Sequence, residues 1–276
     1  MEPFIIQKQS YFSIQPWTDQ FPGLAAGMTT KNDGESKGVY YSLNLGFHVG
    51  DELAAVCANR EKIGKQMGFP VQNWVGAEQT HGSVIQKVSK TDCGKGSLSY
   101  DDSFKDTDGF YTNEDGILLT LCYADCVPIF FLAPKKKMIG IAHAGWKGTV
   151  KQIAARMIKL WEQEGIQPKD IFVAIGPSIC EKCYIVDNRV VDLVQNILED
   201  VNEKPYNLIT AGQYSLNLQK TNKLLLEKAG VPPQNILLTG YCSSCDNGHF
   251  FSHRRDKGQT GRMVSFIGWK EDQSVS

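Results

Sequence analysis

Residues 127–143 read VPIFFLAPKKKMIGIAH, which is an apolar run, a proline–lysine turn and a second apolar run. Their β-branched and aromatic content predicts two strands, Val127–Leu132 and Met138–His143, joined at Ala133–Lys137 into a hairpin. Another apolar segment, Ile117–Cys122, precedes them, and a helical pattern follows. We therefore expect an α/β (α+β) fold, a layered sandwich of mixed β-sheets with helices packed outside.

Two helices are predicted on either side of this hairpin in the chain. Asp51 is placed to cap a helix over residues 52–67, which Gly68 would stop. Thr149 and Gln152 have the spacing of a capping box and predict the start of a second helix. Strands and helices alternate, but hairpins are frequent, so a purely parallel doubly wound sheet is not expected.

Composition narrows the class of protein. Of 276 residues, 42% are hydrophobic and 21% charged, which favours a packed core, and we expect one domain over residues 1–276. The formal net charge of −1 gives no footprint for nucleic acid or an anionic membrane. The start lacks a secretion signal, and the apolar region Ile117–Ala133 contains Asp125. We therefore expect a soluble, cytoplasmic protein whose eight cysteines are reduced.

Three metal-ligand side chains stand at the ends of predicted strands. His81, Cys126 and His143 each lie next to small residues, which leave room for a ligand. Three nitrogen and sulfur ligands with an open fourth position are typical of a catalytic zinc site. The alternative is that both histidines are hydrogen-bonded structural residues and the cysteine a small buried hydrophobe.

Basic residues near these segments suggest an anionic ligand. Lys147 lies in a glycine-flanked turn that leads into a helix, an arrangement suited to phosphate, although a plain turn with an exposed lysine is commoner. Arg60 falls on the apolar stripe of its helix, so it must be paired, bind something or extend out at the edge. Arg254 lies in a basic, glycine-containing segment, residues 252–262, that either closes over an anionic substrate or is a solvated loop.

Two C-x-x-C pairs remain, Cys180/Cys183 and Cys242/Cys245. Together they resemble a four-cysteine structural zinc site. The gap between the pairs is far longer than in a zinc ribbon, so four reduced, partly buried thiols are the simpler interpretation. Their role is left open by the sequence.

Several short motifs together resemble the laccase-domain family, also called the multicopper polyphenol oxidoreductase family. The resemblance runs from about Thr29 to Ile267. The motifs that carry it are Ser42-Leu43-Asn44-Leu45-Gly46, Val49-Gly50-Asp51, Asn59-Arg60, Gln79-Thr80-His81-Gly82, Asp125-Cys126-Val127-Pro128, His143-Ala144-Gly145-Trp146-Lys147-Gly148, Gly176-Pro177-Ser178-Ile179 and Phe250-Phe251-Ser252-His253-Arg254-Arg255.

The resemblance implies a zinc-dependent purine nucleoside phosphorylase that cleaves adenosine, inosine, guanosine and methylthioadenosine with phosphate and also deaminates adenosine. It places the metal on His81, Cys126 and His143, which are the expected catalytic residues. The predicted substrate-binding residues are Asn44, Arg60, Lys147 and Arg254. The expected partners are nucleosides and phosphate, not nucleic acid or a membrane, and the oligomeric state is open.

Other functions fit parts of the same pattern. Cys126 with a histidine base would make a cysteine hydrolase. The family name suggests polyphenol oxidase activity with copper. Zn²⁺ is nevertheless the favoured ion, since multicopper oxidases need many more histidines than the five present. A non-catalytic partner protein is the third alternative.

Overall fold

The computed structural model describes residues 1–271. Its strands are β1 Phe4–Lys8, β2 Tyr11–Ile14, β3 Leu24–Thr29, β4 Trp74–Val75, β5 Ile85–Lys87, β6 Gly109–Thr112, β7 Leu118–Tyr123, β8 Val127–Ala133, β9 Met138–Ala144, β10 Phe172–Ile175, β11 Ile185–Val186, β12 Tyr206–Thr210, β13 Gln213–Leu216, β14 Ile236–Leu238 and β15 Met263–Trp269. Its helices are α1 Gln15–Gln20, α2 Leu53–Met67, α3 Trp146–Val150, α4 Ile153–Gln163, α5 Asn188–Ile197 and α6 Leu218–Lys228.

Two six-stranded mixed sheets form the centre of the fold. The first has the strand order β1-β2-β3-β15-β7-β4, and only its β4–β7 pair is parallel. The second has the order β14-β10-β8-β9-β6-β5, with parallel pairs at both edges. A small antiparallel sheet, β11-β13-β12, stands apart from them. The predicted hairpin is confirmed as β8–β9 in the middle of the second sheet.

The two large sheets pack face to face, and helices cover their outer faces. Along β8, Phe130 and Leu132 point into the core between the sheets, whereas Ile129 and Phe131 pack against α4 and its neighbours. This alternation follows from the two-residue period of a strand whose two faces are both buried. On the far side, Ile63 and its neighbours on α2 cover the first sheet. The layered sandwich of mixed sheets with helices outside is therefore confirmed.

Helix α2 matches its predicted range, with differences at its start. Gly68 adopts φ +72° and ends the helix, as expected for a left-handed C-cap. The N-cap, however, is Glu52 and not Asp51, whose carboxylate instead accepts hydrogen bonds from Glu52 N and Asn44 Nδ2. Leu53, the first residue of the helix, is exposed.

The predicted capping box at Thr149 and Gln152 is wrong. Helix α3 already begins at Trp146 and ends at Val150, and Gln152 takes the left-handed conformation before α4 begins. The Thr149 hydroxyl is buried and accepts a hydrogen bond from Asn222 on α6, so it is not available to cap. A tertiary contact has replaced the local one.

Within residues 1–271, every helix is too short or too polar to cross a membrane. The single domain over residues 1–276 stays a prediction, and residues 272–276 lie outside the described part of the chain.

Candidate metal centre and cleft

Three predicted ligands meet where the β8–β9 hairpin approaches a turn before β5. Cys126 directly precedes β8, and His143 lies in β9 opposite Pro128, so the hairpin brings these two together. His81 arrives from the turn, with a left-handed φ of +58°. The ligand atoms of the three side chains all lie within 4.8 Å of one another. We call His81, Cys126 and His143 the cleft cluster. Its donor set is compatible with a bound metal ion.

Asp108, just before β6, holds this arrangement in place. Its buried carboxylate lies 2.7 Å from His143 Nδ1 and accepts the backbone N–H groups of Thr80, His81 and Gly82 at 3.3, 3.1 and 2.6 Å. The contact with Nδ1 fixes the histidine ring and leaves Nε2 for a metal. Burial acts to raise the pKa of Asp108, but the hydrogen bond from His143 and its charge outweigh that and lower the pKa.

The charges of the cleft cluster favour a Cys126–His143 ion pair. Burial opposes the Cys126 thiolate, yet the charge of His143 and the hydrogen bonds from both histidines bring the pKa of Cys126 down to about 6. Burial also opposes the imidazolium of His143, but the thiolate and Asp108 raise its pKa to about 9. The sulfur is therefore a thiolate at neutral pH, which is the form that binds metals.

Gly145 leaves the space that the cluster occupies. A methyl group placed on its Cα would lie 2.9 Å from Cys126 Sγ and 3.1 Å from His81 Cδ2. No other residue type fits there without moving a ligand. In the sequence Gly145 is one of the small residues next to His143, whereas in the structure it borders the side chains of Cys126 and His81.

Asp125 shapes the turn that presents Cys126. It has a left-handed φ of +90°, and its carboxylate accepts hydrogen bonds from Ser243 Oγ at 2.6 Å and Arg254 N at 2.7 Å. Its carbonyl accepts the N–H of Ile179 at 2.9 Å. The turn is thus tied to two loops, the one after β10 and the long one between β14 and β15, and both loops also carry residues that line the cleft.

The cleft cluster opens into a cavity of about 430 Å³, within the roughly 300–1,000 Å³ range of small-molecule sites. Aromatic and basic side chains line it together with the three ligands. They include His48, Trp146, Tyr184, His253, Arg254 and Arg262. Burial, with a contribution from the charge of Arg262, lowers the pKa of His48 to about 4, so this imidazole is neutral at pH 7.

The predicted basic residues differ in where they lie. Arg254 lines the cleft, and its guanidinium lies 5.0 Å from the centre of the Tyr184 ring and donates to the Ile185 carbonyl. Lys147 is exposed and is not among the residues that line the cleft. Its Nζ lies 5.7 Å from the ring of Trp146, and Trp146 does line the cleft. The structure therefore places Lys147 at the rim.

Arg60 and Asn44 are both buried and lie behind the cleft. The Arg60 guanidinium donates to the carbonyls of Leu45, Gly96 and Ser97 and lies 4.2 Å from the Phe47 ring. These contacts explain why a charge points inward. Asn44 accepts the N–H of Arg262 at 2.8 Å, so it positions a cleft residue. A direct substrate contact for either residue stays a prediction.

Asp108, His48 and Tyr184 were missed as site residues, and Arg262 was noted only as part of a basic segment. Asp108 gives no local signal, because its partner His143 lies far along the chain and no motif joins them. His48 and Tyr184 stand beside quoted motifs, but only the three-dimensional arrangement turns them toward the cluster.

Known proteins resemble this chain in sequence and in structure. The family model described as "Multi-copper polyphenol oxidoreductase laccase" matches residues 25–270. The chain belongs to this family. The family resemblance seen in the sequence is thereby confirmed.

Relatives of this laccase-like family match nearly the whole chain. "Purine nucleoside phosphorylase YlmD" of Geobacillus stearothermophilus is 47% identical over 271 residues, covering 98% of this chain and 99% of the relative. Its namesake in Bacillus subtilis is 46% identical over 273 residues, covering 98% of each. The crystal structure of YlmD from G. stearothermophilus superposes with a TM-score of 0.95 at 46% identity, over 98% of this chain and 100% of that one.

A more distant structure of the laccase-like fold is the Neisseria meningitidis protein NMB0706. It has a TM-score of 0.79 at 28% identity, covering 91% of this chain and 96% of that one. The family description names copper chemistry, whereas the relatives from G. stearothermophilus and B. subtilis carry a phosphorylase name.

Proposed function

We propose that this chain is a zinc-dependent purine nucleoside phosphorylase that also deaminates adenosine. The observation that carries the proposal is that one cleft joins a three-donor metal cluster, aromatic walls and two arginines. The substrate class comes from the names of the relatives at 46–47% identity. Adenosine, inosine, guanosine and methylthioadenosine are the proposed nucleosides, and a cytoplasmic location remains part of the prediction.

The donor set supports zinc over copper. Two imidazoles and one thiolate with an open position suit a catalytic zinc ion, which when bound would supply Lewis acidity and an activated water. A blue-copper centre adds a weak axial ligand, usually methionine, and no methionine is among the residues lining this cleft. Within residues 1–271, the only other group of potential ligands consists of four cysteines, so no multicopper array is present there.

The cleft residues divide the work of phosphorolysis. A phosphate oxygen must attack the anomeric carbon while the glycosidic bond breaks and its electrons pass to the purine. Arg254 and Arg262 are placed to hold the phosphate and keep it in line, since guanidinium groups match phosphate geometry. Trp146 and Tyr184 offer flat apolar surfaces for the purine ring. His48, neutral at pH 7, is able to donate or accept a hydrogen bond at the base.

A cysteine hydrolase is the second candidate, and one observation favours it. A Cys126 thiolate beside a His143 imidazolium that Asp108 orients is the arrangement of a cysteine–histidine nucleophile. His81 is superfluous to such a triad but completes a metal site. Zinc that copurifies stoichiometrically and is lost together with activity would exclude the hydrolase.

The test is a nucleoside panel with and without phosphate. Adenosine should give inosine in phosphate-free buffer, and free base with ribose 1-phosphate only when phosphate is added. Both activities should fall together in His81→Ala and His143→Ala. A ligand variant that loses deamination but keeps wild-type phosphorolysis would show that the two reactions do not share the metal.

The position of phosphate is tested by comparing basic residues. Removing a charge-assisted contact costs about 1.5–3 kcal/mol, so Arg262→Ala and Arg254→Ala should weaken the use of phosphate by about one to two decades. Lys147→Ala, at the rim, should have a smaller effect. All three should spare phosphate-free deamination. An unchanged phosphate dependence in both arginine variants would place the anion elsewhere.

A further inference from the structure

The four remaining paired cysteines converge at a second place in the molecule. Cys180 and Cys183 lie in the loop after β10, and Cys242 and Cys245 in the loop after β14. Their sulfur atoms all lie within 4.8 Å of one another. We call these residues the four-thiol cluster. The long separation in sequence, which argued against a zinc ribbon, is closed here by parallel pairing of β10 with β14.

The sulfur spacing suits tetrahedral coordination. Four sulfurs held at about 2.3 Å from a zinc ion lie about 3.8 Å from each other. Cys245 Sγ lies 3.9 Å from Cys180 Sγ and 3.4 Å from Cys183 Sγ, on either side of that value. Each pair also has the C-x-x-C spacing that lets two thiolates share one ion.

The backbone around the cluster is arranged for a thiolate. The N–H groups of Cys180 and Cys245 both point to Cys242 Sγ, at 3.2 and 3.4 Å. One donor comes from each loop, so the sulfur of Cys242 accepts hydrogen bonds from both loops. Next to it, Ser178 pairs with Cys242 as an isolated parallel bridge, and Ser243 N donates to the Ser178 carbonyl at 3.0 Å. The loops are therefore held in register at the cluster itself.

Packing alone does not account for these thiols. Cys242 is buried, but Cys180 and Cys183 are half-buried and Cys245 is exposed, so the cluster lies at the surface and not in an apolar core. All four sulfurs are present as free thiols, and an exposed free thiol is chemically vulnerable. A metal ion would engage every sulfur and leave no position open for a substrate.

We propose that Cys180, Cys183, Cys242 and Cys245 bind a structural zinc ion, separate from the cleft cluster. The joined loops reach the cleft directly. The loop after β10 contributes Ile179 and Tyr184 to the wall of the cleft. Ile179 N and Ser243 Oγ, one from each loop, donate hydrogen bonds to Asp125, which shapes the turn at Cys126. The ion would thus brace one wall of the substrate cleft, a consequence that rests on the proposed function, whereas the metal site itself does not.

The experiment is zinc analysis of four forms of the full-length chain after gel filtration. They are the wild type, Cys126→Ala, Cys183→Ser/Cys245→Ser, and the control Cys57→Ser/Cys93→Ser, whose cysteines belong to neither cluster. We expect about two zinc ions per chain in the wild type and control, and about one in each of the others. Cobalt added to apo Cys126→Ala should give the intense charge-transfer absorption of a tetrathiolate site.

Folding of the double serine variant is not needed for the answer, because Cys126→Ala retains all four thiols. The proposal is overturned if folded Cys126→Ala contains no zinc and all its thiols react freely. A mass lowered by two hydrogens, which indicates a disulfide, or iron in place of zinc also overturns it. Loss of all zinc in Cys126→Ala would contradict the four-thiol zinc site but not the proposed function. Zinc retained in Cys126→Ala, together with a wild type that does not cleave nucleosides, would contradict the proposed function but not the four-thiol zinc site.

Discussion

The cleft cluster and the four-thiol cluster each hold their ligand atoms within 4.8 Å of one another, yet they are built in different ways. The cleft cluster has two donors on or beside the β8–β9 hairpin and one on the turn before β5, with a cavity in front of them and a buried carboxylate behind. The four-thiol cluster has four donors on two surface loops that are fastened by backbone hydrogen bonds. Donor count, donor type and neighbouring space, more than proximity, distinguish a site that leaves room for substrate from one that only joins chain segments.

The sharpest way to break this comparison is to remove one ligand from each cluster. Cys126→Ala should lower phosphorylase activity by about a thousandfold, since a Lewis acid contributes several kcal/mol to the transition state. It should lower the unfolding temperature less than loss of the other ion does, since three protein ligands with an open position hold a metal less firmly than four thiolates. Cys245→Ser should instead lower the unfolding temperature by roughly 5–10 °C, because linked metal binding stabilises the fold. Activity assays and calorimetry on both variants test this, with Cys93→Ala as control. Equal loss of stability in both variants would erase the distinction.

Asp108→Asn tests the carboxylate that the cleft cluster has behind His143. The amide keeps the size of the side chain but removes the charge that orients the imidazole. Loss of such an outer partner typically costs 10–100-fold in metal affinity. Zinc affinity, measured by competition with a chelating dye, should fall by that factor while circular dichroism stays unchanged. Asp170→Asn, which removes an exposed partner of Lys135, is the matched control. A wild-type zinc affinity in Asp108→Asn would refute the positioning role.

Gly145→Ala tests the space around the ligands. Its new methyl group must displace Cys126 Sγ or the His81 ring, and overpacking of this kind costs about 1–3 kcal/mol. We expect a zinc affinity about tenfold lower, since the ligands cannot keep their positions. Gly248→Ala is a suitable control because its Cβ would meet no atom within 4 Å. Should both variants bind zinc alike, the close approach at Gly145 has no consequence.

The smallest predicted effect is on the chemistry of the metal-free cysteines. With the pKa of Cys126 lowered to about 6, its thiolate forms as the pH rises through about 6, well below the range of ordinary thiols. Alkylation of Cys126 in chelator-treated protein, followed by mass spectrometry, should show that midpoint. Its rate at pH 7 should exceed that of Cys93 by a factor of a few, since lower basicity also lowers nucleophilicity. His143→Ala should move the midpoint upward; an unmoved midpoint would rule out the ion pair.

Sequence reasoning succeeded where the determinants were local. The β8–β9 hairpin and α2 were both predictable, because strand composition, a turn and a C-cap glycine lie within one short stretch each. It failed at Thr149, where a contact from α6 overrides the local capping pattern.

The candidate site also contains residues that local sequence patterns indicated and residues that they did not. Residue type and predicted strand ends indicated His81, Cys126 and His143 as metal ligands, and the fold brings these three side chains together. His81, however, lies in a turn and not at the end of a strand. Asp108 was not predicted as a site residue, because nothing in the sequence around it indicates that the fold places its carboxylate beside His143. For Arg60 the sequence left open whether the charge is held inside or extends out at the edge. The structure holds it inside, and its carbonyl partners come from loops that no local pattern links to its helix.

The pairing of β8 with β9 has one more consequence. Cys126 stands just before the first strand of this hairpin and His143 near the end of the second, with Pro128 opposite His143 and Val127 opposite Ala144. A slip of one residue between the strands would carry alternate side chains to the opposite face and separate the thiolate from the imidazole. Any ion bound by both Cys126 and His143 would therefore stabilise only the strand register in which these two side chains meet, and so would select against shifted registers.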